Sequence, residues 1–123
     1  MGFLSNLFGG EQVYPTSVST MDQFREVVVE SDIPVIVDIW SPTCGPCKKL
    51  VPVLIKVATK HEGRILVAEL NVANAEPKLL ARLGVRATPT LLVFDGGQPV
   101  LRFQGYKPPS WFNEMIDAEF PQV

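Results

Sequence analysis

Residues 34–40 read PVIVDIW, a nearly unbroken apolar run dominated by β-branched Val and Ile. A half-exposed strand would alternate apolar with polar; a run like this marks a strand covered on both faces. One carboxylate, Asp38, interrupts it. From Cys44 onward the apolar spacing becomes helical: Cys47, Leu50, Val51, Leu54 and Ala58 fall on one stripe, with Lys48, Lys49, Lys56 and Lys60 elsewhere. Pro52 lies inside this pattern and, lacking an N–H, is expected to kink the helix. RILVAELNV (64–72) is then a second buried strand. Strand, helix and strand in this order demand a right-handed crossover and a parallel pair.

The flanking segments add to this unit. Residues 11–18 read as an irregular lead-in or an edge strand, with Pro15 arguing against a central position. Ser19 or Thr20 can cap a helix running to about Glu30, with Phe24, Val27 and Val28 inward. Asn74 to Leu83 forms a short helix closed by Gly84. TLLVF (90–94), DGG and QPVLRF (98–103) read as an antiparallel hairpin. Ser110 caps a last helix carrying Trp111, Phe112, Met115 and Ile116. The expectation is an α/β fold with a central mixed β-sheet flanked by helices on both faces.

At 123 residues, with 46% hydrophobic and 20% charged residues and a formal net charge of −2, the composition is that of one soluble domain. No basic excess is available to neutralise phosphates, so nucleic acid is not an expected partner. The first ten residues, MGFLSNLFGG, form a short apolar arm ahead of a domain spanning 11–123. Phe3, Leu4, Leu7 and Phe8 share one face at helical spacing, ended by Gly9-Gly10. No Lys or Arg precedes Arg25, the apolar stretch is too short for a bilayer, and Asn6 stands where a myristoylation signal wants Ser or Thr. No membrane contact is therefore expected, and a cytoplasmic location is.

Two cysteines are too few for a disulfide-stapled scaffold. They sit two residues apart in SPTCGPCKK (41–49), where strand gives way to helix. The unpaired N–H groups and the dipole of a helix start favour a negative charge, so the Cys44 thiol should ionise easily. Lys48 pushes modestly the same way. Positions three apart on a helix stand about 5–6 Å apart, within the Cα separation a disulfide needs. Gly45 leaves the first sulfur accessible, and Pro46 suits the opening turn of a helix. Cys44 is then the exposed nucleophile, and Cys47, on the apolar stripe, resolves the mixed disulfide.

CGPCK, the upstream VDIW, the ATPT before a strand and the glycine of FQGY together resemble the thioredoxin family over residues of roughly 18 to 120. The resemblance implies the thioredoxin fold and reduction of protein disulfides without a bound cofactor. Disulfide-containing target proteins are the implied substrates, and a flavoprotein thioredoxin reductase recharges the pair. A monomer is expected. By the same resemblance Asp38 is the buried aspartate that assists proton removal from Cys47. Pro89 is a cis-proline facing the cysteines, and Thr88 offers backbone to a bound substrate strand. Trp40, Thr43, Gly45, Pro46 and Gly105 complete the substrate surface.

Three positions depart from the family pattern. Thr43 replaces the tryptophan usual before the first cysteine, which should alter partner choice more than chemistry. Glu69 stands where a lysine is frequent near the buried aspartate; two neighbouring carboxylates cannot both ionise cheaply, so Asp38 should be driven toward its neutral form. Ala73 replaces a common aspartate. Rival readings are an oxidase or isomerase, a non-catalytic thioredoxin-like binding module, and a metal site. The last is poorly placed: if one helix joins Cys44 to His61, the two lie roughly 25 Å apart.

Overall fold

β1 (Thr16–Ser17) and α1 (Met21–Phe24) open the chain, and α1 runs on as a π-helix over Arg25–Val29. β2 (Val35–Trp40), α2 (Gly45–Lys60), β3 (Leu66–Asn71), α3 (Pro77–Leu83), β4 (Thr90–Asp95), β5 (Gln98–Gln104) and α4 (Pro109–Glu119) follow. This computed structural model describes residues 11–122; the apolar arm proposed for residues 1–10 lies outside the described residues.

The five strands form one sheet in the order β1-β3-β2-β4-β5. β3 runs parallel to both β1 and β2, whereas β4 is antiparallel to β2 and to β5. β2 is thus central, as its uninterrupted apolar run requires. Alternation along it divides the core. Ile36 faces a cluster built with Leu50, Leu54 and Val57 of α2 and Phe112 and Ile116 of α4. Val35, Val37 and Ile39 face Phe24, Val28 and Leu79 on the other side. The crossover from β2 to β3 through α2 therefore puts α2 over the face that carries Ile36, Asp38 and Trp40.

Helix ends follow local chemistry. Of the two caps the sequence allows, Thr20 is the one used for α1: its Oγ1 accepts the Gln23 N–H at 3.0 Å while Gln23 Oε1 accepts the Thr20 N–H at 3.3 Å. Other helix starts correct the sequence expectation. α3 starts at Pro77, not Asn74, and Ser110 is not a cap, because α4 starts at Pro109 with Pro108 as the half-in residue. Val51 does not share the buried stripe; it is 54% exposed, and Val53 and Val57 fill the interior instead. The helix continues through Pro52, which lies on its exposed side.

The β4–β5 turn is Gly96-Gly97, with φ of 60° and 81°, the left-handed pair that tight hairpins favour. At Gly97 a Cβ would also stand 2.8 Å from the Val29 carbonyl oxygen, backbone that ends the π-helix. Gly97→Ala is expected to cost about 2 kcal/mol in urea unfolding. Gly96→Ala, which meets none of the described residues within 4 Å, should cost less. Equal losses would show that the approach to Val29 carries no energy.

Candidate active site

The chain leaves β2 at Trp40 and turns through Ser41–Thr43. Ser41 Oγ accepts the Thr43 N–H at 3.3 Å, and the Ser41 carbonyl accepts the Cys44 N–H at 3.1 Å. These bonds set Cys44 down in extended conformation as the N-cap of α2, with Pro46 in the first helical turn. Its Sγ accepts the Cys47 N–H at 3.2 Å, so sulfur takes the capping role usually held by a side-chain oxygen. Cys44 and Cys47 are bonded, with Cα atoms 5.3 Å apart. Cys44 is partly exposed and Cys47 is buried at 2% exposure. Gly45 is exposed, and a side chain there would meet none of the described residues within 4 Å. His61 ends the same helix at its far side, buried and bonded to Asn113 at 2.8 Å, which removes it from any site with the cysteines.

Register brings the next residues to the same end of the sheet. Ile39 pairs with Thr90, so Thr88 and Pro89 stand beside the end of β2 from which the cysteine loop springs. The Thr88–Pro89 bond is cis. Thr90 Oγ1 donates to the Ala87 carbonyl at 2.6 Å and holds this loop down. The Pro89 carbonyl accepts the Gly105 N–H at 3.0 Å, and Gly105 has a φ of 87° that favours glycine. Thr43 is exposed and, among the described residues, hydrogen-bonded only within its turn, to Ser41.

Beneath the disulfide, Asp38, Trp40, Cys47, Lys48, Glu69 and Tyr14 line a cleft of about 290 Å³ with mainly apolar walls. Asp38 is 4% exposed and its Oδ1 has no hydrogen-bond partner among the described residues. Its carboxyl is pushed up to about 7, first because burial penalises the charge and second because of the Glu69 charge beside it. Asp38 and Glu69 are register partners across the parallel β2–β3 ladder, on the same face. Asp38 therefore faces the interior beneath the cysteines and not solvent.

Glu69 is less simple than its expected role. Its carboxylate accepts hydrogen bonds from Ser17 Oγ on the edge strand β1 and from Trp40 Nε1. Ser17, Tyr14 and Pro15 entered no sequence expectation about the site. They come from the lead-in segment, which carries no motif, and only the β1–β3 pairing places them here. A larger groove of about 710 Å³, lined by Phe24, Leu79, Phe94 and Arg102 among others, holds none of the site residues expected from the sequence.

A sequence profile of the family described as Thioredoxin matches residues 15–118. Thioredoxin 1 of a Nostoc species is 37% identical over 98 residues, 80% of this chain and 91% of its own length. The thioredoxin of Alicyclobacillus acidocaldarius is 38% identical over 107 residues, 87% of this chain and 97% of its own length. Among solved structures, a mutant thioredoxin from Halobacterium salinarum superposes with a TM-score of 0.78 at 27% identity, covering 89% of this chain and 94% of that one. With the five-stranded mixed sheet, the cysteine pair at a helix start and the cis-proline beside it, these matches settle the matter: the chain belongs to the thioredoxin family.

Proposed function

We propose the following division of labour in this thiol–disulfide oxidoreductase. Reduced Cys44 attacks one sulfur of a protein disulfide as the thiolate, forming a mixed disulfide and expelling one target thiolate, which takes a proton from solvent. Cys47 then gives its thiol proton to the Asp38 carboxylate and attacks the Cys44 sulfur. The bond from Cys44 to the target breaks, the second target thiolate leaves, and the Cys44–Cys47 bond closes. Two electrons have passed to the target. The observation that carries this assignment is the capping bond: the Cys47 N–H that reaches Cys44 Sγ in the disulfide would stabilise the thiolate after reduction.

Trp40, Thr43, Gly45, Pro46, Thr88, Pro89 and Gly105 form the surface on which the target lies. An extended target segment would bond to Thr88 backbone beside the cis-proline. With Thr43 in place of a bulky aromatic, binding rests more on those backbone contacts than on an apolar rim. A flavoprotein thioredoxin reductase returns electrons to the disulfide, and a reducing cytoplasm suits the direction of transfer. The working unit is a monomer.

The test is the redox potential of the Cys44–Cys47 couple, equilibrated against glutathione, together with turnover of a model protein disulfide. A couple more reducing than glutathione with steady turnover is the expected result. A more oxidising couple that instead introduces disulfides into reduced proteins would assign an oxidase.

A further inference from the structure

We propose that Glu69 is a positioning residue for the exchange reaction, fixing Trp40 through its indole N–H and setting the proton balance of Asp38 across the β2–β3 ladder. The inference rests on the assignment of Asp38 as proton acceptor for Cys47.

Three strands meet at this one carboxylate. Ser17 on β1 and Trp40 on β2 both donate to it, and Asp38 is its direct register neighbour. Trp40 is the last residue of β2 and lines the same cleft as Asp38 and Cys47. A rigid indole there closes one wall of the cleft and fixes the start of the turn that delivers Cys44. Glu69 supplies the acceptor that the Trp40 indole N–H uses.

Among the described residues, the groups facing Asp38 are few. β3 contributes Glu69, α2 contributes Cys47 and Lys48, the lead-in contributes Tyr14, and β4 places the apolar Leu91 opposite. Lys48 is exposed, so its charge is screened by water, whereas Glu69 acts across the ladder itself. Asp38 meets a like charge on one side and hydrocarbon on the other. The Cys47 proton therefore passes to a carboxylate that accepts it readily at neutral pH and returns it readily to a departing thiolate.

Two substitutions separate the tether from the charge. Glu69→Gln removes the charge and keeps an oxygen for the indole; Glu69→Ala removes both. The readouts are the Asp38 carboxyl carbon shift across pH in the oxidised protein, the Trp40 indole N–H resonance (distinguished from Trp111 in a Trp111→Phe background), and the pH profile of mixed-disulfide resolution. In both variants the Asp38 midpoint should fall by roughly one pH unit, the effect of removing one adjacent like charge. The resolution profile should move with it. The Trp40 resonance should shift and broaden in Glu69→Ala alone. A midpoint unmoved in Glu69→Gln, or a Trp40 resonance unmoved in Glu69→Ala, overturns the proposal. A role limited to holding the sheet together would lower stability and leave the midpoint in place. Parent protein that fails to reduce the substrate in the same assay refutes the underlying functional reading instead.

Discussion

Oxidised Asp38→Asn protein is expected to be about 4 kcal/mol more stable than the parent above neutral pH, and no more stable in acid. In the unfolded chain this carboxyl releases its proton near 3.8; in the fold it holds it to about 7. Below 3.8 both states are protonated and the residue costs nothing through ionisation. Between the two values the unfolded chain has lost the proton and the native state keeps it. Each pH unit in that window therefore lowers parent stability by about 1.4 kcal/mol. Above about 7 both states are charged and the loss stops growing. Asparagine keeps the shape and cannot ionise, so its advantage should open through this window and then level off. Urea unfolding of both oxidised proteins at closely spaced pH values reads the difference directly. A difference independent of pH would mean that Asp38 is hydrated in the folded state, and the buried-base assignment would fall with it.

The same substitution should slow release of the target, since Cys47 loses its proton acceptor. A gain in stability with a loss of exchange rate is the signature of a charge kept in the core for chemistry. It also explains why a strand otherwise fitted for the interior carries a carboxylate. Val35, Ile36, Val37 and Ile39 are fully buried, and the single polar position among them is the one that faces the resolving cysteine's cleft.

How far the sequence could be read depended on the range of the forces involved. β2 and α2 declared themselves, because burial on both faces leaves an unbroken β-branched run and a packed helix leaves a stripe. Both are local consequences of a residue's own surroundings. The cysteine pair was equally legible, since the spacing of a helix turn matches the reach of a disulfide. The errors at helix starts share one cause. Proline disfavours helical conformation in the residue before it, so Glu76 ahead of Pro77 and Pro108 ahead of Pro109 stay extended, at ψ of 132° and 166°. That signal is present in the sequence at both sites, and at the second Ser110 offers a competing cap. Glu76 is further held by its N–H to the Ser19 carbonyl at 2.8 Å, a tertiary contact no local pattern reports. Three- and four-residue spacings admit two neighbouring stripes, one of which includes Val51, and only the sheet beneath selects the stripe that leaves Val51 exposed. The Ser17–Glu69–Trp40 junction lay beyond reach altogether. It depends on a two-residue edge strand pairing with a segment some fifty positions away.

Separating the two cysteines should produce opposite failures. Cys44→Ser removes the group that attacks, and turnover of a protein disulfide should fall by on the order of a thousandfold or more. Cys47, buried at 2% exposure, cannot substitute for it. Cys47→Ser leaves attack intact and removes the second step, so the protein should accumulate as a mixed disulfide with its target, visible on non-reducing gels and dispersed by dithiothreitol. Alkylation gives the physical basis of the asymmetry. In reduced Cys47→Ser, Cys44 should react with iodoacetamide at pH values where an ordinary thiol is still protonated, because the helix start and the N–H of residue 47 favour the thiolate. In reduced Cys44→Ser, Cys47 should react slowly at the same pH, shielded by the core and lacking a helix-end donor. Equal reactivity of the two thiols would remove the reason for assigning attack to one and resolution to the other, even if the disulfide between them still formed.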